Sequence, residues 1–152
     1  MRIPAKTDYA LRAATELAAA PGGAPVKAER IAAAQGIPLR FLENILTELR
    51  HAGIVESRRG AEGGYLLARP PAEIALADVV RAVDGPLANV GGRRPEALEY
   101  EGSAAGLRDV WVAVRAGLRA VLEESTLADV ARGELPGAVR ELIAPEDAWH
   151  PR

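Results

Sequence analysis

The stretch GIPLRFLENILTELRHAGIVESRRGAEGGYLL, Gly36 to Leu67, changes its apolar period halfway along. Up to Ala52 the apolar residues Leu42, Ile45, Leu46 and Leu49 recur at helical spacing, and the spacing predicts a helix from about Pro38 to Ala52. After Gly53 apolar and polar residues alternate, as in a half-buried strand. Just upstream, Ala28 to Gln35 carries a second, shorter helical pattern, and only Gly36 and Ile37 lie between the two. Two helices joined by a short turn containing glycine make a helix-turn-helix, in which the second helix enters the major groove of duplex DNA. Downstream, IVESR and YLLAR flank RGAEGG, which reads as a hairpin of two short strands. A hairpin placed after a helix-turn-helix is a wing.

The wing tip places Arg58 and Arg59 beside Gly60, Gly63 and Gly64, with Tyr65 following at once. A tight hairpin explains the glycines alone, because glycine tolerates φ > 0 and close approach. It does not explain the arginines. A tip lying along DNA explains both, with backbone N–H groups near phosphate and the guanidiniums supplying charge. On the second helix, Pro38, Leu39, Arg40, Phe41, Glu43 and Asn44 lie at or near the N-terminus, the end that faces base edges. Arg40 can bind guanine through O6 and N7, and Glu43 can accept from cytosine N4 or repel a wrong base. Asn44 fits either an adenine contact or a solvated face, and Phe41, the only Phe, fits either DNA contact or core packing. Arg50 and His51 end that helix, where cations also favour the helix dipole.

Working outward, Thr7 to Ala20 reads as a first helix with Thr7 as its N-cap and Tyr9 on its apolar stripe. Lys6 and Thr7 suit phosphate contact at a helix N-terminus, although a capping threonine beside a lysine is common in any helix. After Pro70-Pro71, Leu76 to Val83 forms another amphipathic helix, closed by Gly85-Pro86. Residues 86–106 are polar, rich in Gly and without period, so they read as a long loop. From about Ala104 to Glu124 a long helix carries Leu107, Val110, Trp111, Val114, Leu118 and Val121 on one stripe. Paired with its copy in a second chain, that stripe would be buried and would supply the two-fold symmetry of a palindromic site. Folding back on its own domain is the plainer alternative, and Trp111 favours the dimer. Ser125 is positioned to cap a short helix after it, and the Pro-rich tail is weakly patterned.

The expected class is therefore mainly α with a small β component. A winged helix-turn-helix domain occupies 1–85, a loop 86–106, a dimerisation helix and short following helix 107–135, and a tail 136–152. The whole chain has net charge −2, which looks wrong for a nucleic-acid binder until it is divided. Residues 1–70 hold ten Lys/Arg against seven Asp/Glu, a net of +3, and residues 71–152 hold nine against fourteen, a net of −5. A basic half joined to an acidic one suits a contact surface confined to the first half. With no cysteine, disulfides, thiolate nucleophiles and cysteine-held zinc or iron–sulfur sites are excluded. His51 and His150 show no metal-ligand spacing, and no catalytic triad or phosphate-binding loop is present, so neither a metal nor an enzyme is expected. No long apolar run or leader pattern exists, which makes the cytoplasm the expected compartment and a membrane an unexpected partner.

In order along the chain, TDYALRA, IPLRFLENILTELRHAGIVESRRGAEGGYLLARPP, EIALADVVRAVDG and VWVAVRAGLRAVLEESTLADV resemble the Rrf-two family of bacterial transcription regulators, which includes iron–sulfur cluster regulators. The resemblance covers roughly residues 1–133. It implies a winged helix-turn-helix followed by a long dimerisation helix, with DNA contacts on Arg40, Phe41 and Glu43 and on Arg59 to Tyr65. Many members hold a two-iron cluster with three cysteines in the loop before the dimerisation helix. Here those places fall near Gly92, Leu98 and Ala104 or Ala105, and Glu96, Glu99 and Glu101 are not soft donors. The expectation is a cysteine-free member, a homodimeric repressor on a palindromic operator with no cofactor, answering to a small-molecule or protein effector. The alternative is a protein-interaction module on the same fold that no longer binds DNA.

Overall fold

The structure, a computed structural model, describes residues 1–151. Helix α1 (Ala5–Ala19) is rich in alanine and turns Ala10, Ala13, Ala14 and Leu17 inward. Those small side chains let neighbouring helices approach closely, and Pro21 follows at once as a stop. Helix α2 (Ala28–Gln35) ends at Gly36, which takes a left-handed φ of 62° that a branched residue would resist. Ile37 is buried in the turn, and Pro38 stands at the N-cap of α3 (Leu39–His51). On α3 the residues Leu42, Ile45, Leu46 and Leu49 are fully buried. With Ile31, Ile74 and Val79 they form one continuous core.

The wing is an antiparallel pair, β1 (Val55–Arg58) and β2 (Gly64–Leu67), with Val55 opposite Leu67 and Arg58 opposite Gly64. A third segment joins it. Val26 exchanges two backbone hydrogen bonds with Tyr65, each 2.8 Å, so the extended residues before α2 lie along the outer edge of β2. The wing is thereby tied to the helix-turn-helix by backbone as well as by sequence, and an otherwise marginal two-stranded hairpin gains a neighbour.

Helix α4 (Leu76–Asp84) leads into residues 86–106, where two short 3-10 turns, Pro95–Ala97 and Gly102–Ala104, interrupt an otherwise irregular path. Leu87, Pro95 and Leu98 are buried there, so the segment is anchored at three points. Helix α5 (Leu107–Leu122) has no buried residue in sixteen. Helix α6 (Leu127–Arg132) then returns to the first core, where Leu127 is fully buried against α1. Backbone bonds from Leu76 to Ser125 (2.8 Å) and from Leu127 to Ile74 (3.0 Å) fasten it there. The polypeptide after α5 therefore helps to build the N-terminal unit rather than trailing from the long helix. Helix α7 (Gly137–Ile143) and a last 3-10 turn, Glu146–Trp149, close the described chain.

Three local expectations are corrected. The first helix begins at Ala5 with Pro4 at its N-cap, so Thr7 lies inside the first turn and caps nothing. The cap of α6 is Thr126, not Ser125: Thr126 Oγ1 accepts from Asp129 N and Asp129 Oδ2 accepts from Thr126 N, a reciprocal box. Ser125 is buried and donates to Val121 O at 2.8 Å, tightening the end of α5. The weakly patterned tail does form a helix, with only Val139 buried along it.

Candidate nucleic-acid interface

The period of α3 sorts its side chains. While Leu42, Ile45, Leu46 and Leu49 face the core, Pro38, Leu39, Arg40, Phe41, Glu43 and Asn44 are exposed. Arg40, Glu43 and Asn44 make no side-chain hydrogen bond or ion pair among the described residues, which leaves their donors and acceptors available. Phe41 is 48% exposed, which rules out the core-packing alternative. Its ring meets Tyr9 edge to face, with centroids 6.0 Å apart and planes at 86°. Arg12 lies 4.8 Å from the Tyr9 ring centre, donates to Gln35 O at 2.6 Å and pairs with Asp8 at 2.9 Å. Tyr9 thus holds the exposed start of α3 against α1.

The wing stands beside that surface. Arg58 and Arg59 are exposed and make no side-chain bond among the described residues. Gly60 takes φ 101°, and its carbonyl accepts from Gly63 N at 3.0 Å and from Lys27 Nζ at 2.9 Å. Lys27 therefore pins the wing tip from the start of α2, a role unreadable in the sequence because the lysine lies so far from the hairpin. Arg50 reaches Ser57 on β1 at 3.4 Å, bracing the end of α3 against the wing. An open cleft of about 350 Å³ separates the two, lined by Lys27, Glu43, Ser57, Arg58, Arg59 and Tyr65 among others.

Two of the three wing glycines have an internal reason. A Cβ on Gly63 would come within 2.2 Å of Arg58 O, and one on Gly64 within 2.6 Å of Val26 C and O. Gly63 makes the tip close, and Gly64 admits the Val26 segment. Neither needs a phosphate to account for it; only Gly60, whose carbonyl is taken by Gly63 and Lys27, has open space at its Cα for a ligand to approach closely.

At the start of α1, Lys6 Nζ pairs with Glu48 Oε2 at 2.8 Å, a half-exposed bridge that joins α1 to α3. Thr7 is 2% exposed and its hydroxyl finds no partner, so its side chain is shielded from a phosphate at this surface. On α5, Leu107 and Val110 are exposed, while Trp111, Val114, Leu118 and Val121 are only half covered. The helix leans on the turn Pro95–Ala97 and touches α4, which covers part of the apolar stripe and leaves Leu107 and Val110 exposed.

The donors in the loop do not fit an iron–sulfur cluster. Gly92 has no side chain, Leu98 is 6% exposed and turned inward, Ala104 offers a methyl group, and Glu96 is bound to Arg115. No thiolate exists anywhere in the chain.

A family model described as Rrf2, iron-dependent transcriptional regulator, matches residues 3–133. Rv1287 of Mycobacterium tuberculosis, a candidate HTH-type transcriptional regulator, is 55% identical over 142 residues, spanning 93% of this chain and 88% of its own. HTH-type transcriptional regulator CymR of Bacillus subtilis is 37% identical over 131 residues, 86% of this chain and 90% of the relative. The solved structure of CymR, the global cysteine regulator of B. subtilis, matches with a TM-score of 0.75 at 35% identity, covering 88% of this chain and 98% of that one. IscR of T. potens matches at 0.72 and 31% identity, covering 99% and 97%. Helix-turn-helix, wing and long helix are all inside these matches, and the chain belongs to the Rrf2 family of DNA-binding transcriptional regulators, as a member without cysteine.

Proposed function

We propose that the protein is a homodimeric repressor that covers a palindromic operator and works without an iron–sulfur centre. The observation that carries this reading is the pairing of a long helix, α5, none of whose residues is fully buried and whose stripe exposes Leu107 and Val110, with an exposed face on α3. A two-fold dimer through α5 would cover the stripe and present two copies of α3, each beside its own wing. In this reading Arg40 and Glu43 read base edges, Asn44 and Phe41 flank them, and Arg58, Arg59 and Gly60 follow the backbone. Lys6, Tyr9, Arg50, Gly63, Gly64 and Tyr65 hold those groups in place. Repression is the simpler sign, since occupancy of an operator is enough to exclude polymerase. Control would come from a small molecule or a protein partner, because the loop has no donors for a cluster.

The test is fluorescence anisotropy and footprinting on duplex DNA from upstream of the protein's own gene. A two-fold protected site is expected, its half-sites about 34–36 Å apart or a multiple of that. Log affinity should fall with log salt by about 0.9 per phosphate neutralised, and Arg59→Ala should flatten that slope. Protection of an isolated half-site by a monomer would overturn the dimeric reading. Lower expression from the adjacent promoter on deleting the gene would reverse the sign.

A further inference from the structure

We infer that the cleft between the end of α4, the loop 86–106 and α5 is a binding site for a small anion carrying at least two negative charges. Four guanidiniums converge on it: Arg81 from the last turn of α4, Arg94 from the loop, and Arg115 and Arg119 one turn apart on α5. These are four of the nine Lys/Arg in residues 71–152, a segment of net charge −5. Only two carboxylates take part: Glu96 binds Arg115, and Glu123 is shared between Arg81 and Arg119. Both acids are held below the ordinary carboxylate range, Glu96 by a backbone hydrogen bond first and Arg115 next, Glu123 by Arg81 and then Arg119. With both ionised, the cluster keeps an excess of two positive charges.

Arg94 is the free member. It makes no hydrogen bond or ion pair among the described residues and acts on Glu96 only through its field. The cleft holds about 300 Å³, and Pro86 and Leu87 wall it. That is the lower end of the range for small-ligand sites. It suits a phosphate or a di- or tricarboxylate, which guanidinium forks bind through two parallel hydrogen bonds. None of its lining residues is shared with the wing cleft. An occupant would tie α4, in the DNA-binding unit, to α5. That regulatory consequence rests on the reading of the protein as a DNA-binding dimer; the binding itself does not.

The experiment is calorimetric titration of the full chain, without DNA and at constant ionic strength, with inorganic phosphate and with citrate as probes. One saturable site per protomer is expected for at least one probe, and the probe that saturates names the class as oxyanion or carboxylate. Arg94→Ala should weaken it by about tenfold or more, as loss of a charged hydrogen-bonding partner does, while Arg94→Lys keeps part of the affinity and Arg59→Ala keeps all of it. Circular dichroism checks that the variants are folded, and Arg94, exposed and without bonds, leaves the fold intact when removed. Absence of saturation by either probe up to about 10 mM, the edge of specific binding, would overturn the proposal. So would affinity that falls with Arg59→Ala and survives Arg94→Ala, since the anions would then sit on the wing.

Discussion

Replacing Gly64 with alanine asks whether the wing glycines serve the fold or the nucleic acid. Gly64 begins β2 at φ 147°, and an added Cβ would stand 2.6 Å from the carbonyl carbon and oxygen of Val26 and 3.0 Å from Lys27 N. Those are backbone atoms and cannot rotate away. To admit the methyl group the Val26 segment must part from β2, which breaks both 2.8 Å hydrogen bonds between Val26 and Tyr65. Two such bonds at about 1 kcal/mol each and about 1–3 kcal/mol of backbone strain sum to about 3–5 kcal/mol. Against a typical domain stability of about 5–15 kcal/mol that is a large loss. Gly22→Ala is the matched control: its φ is 63° and a Cβ there meets nothing within 4 Å, so only the left-handed penalty of about 1–2 kcal/mol applies. Urea unfolding at one fixed protein concentration measures both, and an equal midpoint shift for the two variants would refute the packing argument. Gly64 would then have to be explained by what touches it from outside.

Arg40→Ala should leave unfolding within about 0.5 kcal/mol of wild type, because the side chain is exposed and makes no hydrogen bond or ion pair among the described residues. It should cost about 1–3 kcal/mol of binding at one base position in each half-site; a uniform loss over random sequences in a selection assay would make it a phosphate contact instead. Val114→Glu places a carboxylate on the α5 stripe, opposite its two-fold mate in the proposed dimer. Light scattering should report a monomer with weak operator binding, and a mutant that stays dimeric would show that another surface joins the protomers. Glu123 has a lowered pKa when folded, so its bonds to Arg81 and Arg119 stabilise above the unfolded carboxylate pKa and are lost as pH falls through the folded one. Glu123→Gln should therefore melt below wild type at neutral pH, the gap closing as pH falls through the folded pKa; a gap that persists unchanged in acid would mean the glutamate acts by packing.

The helix-turn-helix was legible because α3 has a strict apolar stripe, with Leu42, Ile45, Leu46 and Leu49 all fully buried, and because Gly36 must take a left-handed φ just where the two patterns part. The hairpin was legible from its change of period. Caps were less so: Ala5 and Lys6 are as good helix formers as the residues after Thr7, so propensity alone cannot choose the first turn. Helix α7 escaped notice because seven residues with one buried side chain carry no periodic contrast. The pairing of Val26 with Tyr65 and the reach of Lys27 to Gly60 join residues far apart in the chain, and no local pattern encodes them. The glycine-rich tip advertised a constraint, and only the neighbouring backbone showed which glycine answered to which contact.

Sorting the arginines by partner does what net charge could not. Arg12, Arg69, Arg81, Arg108, Arg115 and Arg119 each have a carboxylate within 4.0 Å of the guanidinium, and part of their charge is answered inside the molecule. Arg40, Arg58 and Arg59 have none among the described residues; Arg2, Arg30 and Arg140 also lack one but lie scattered, whereas these three stand together on α3 and the wing. Long-range attraction of a polyanion depends on the charges left unanswered at the contact surface, since an ion pair leaves only a dipole whose field falls off faster than that of a lone charge, and salt screens lone charges beyond about 8 Å. A chain of net charge −2 can therefore present a positive face to DNA. Arg94 is unpartnered too, but it stands between α4 and α5, in a cleft that Arg81, Arg115 and Arg119 also line. In the proposed complex, duplex DNA along α3 would answer Arg40, Arg58 and Arg59, and the proposed small anion would answer Arg94, whose cleft shares no lining residue with the wing cleft.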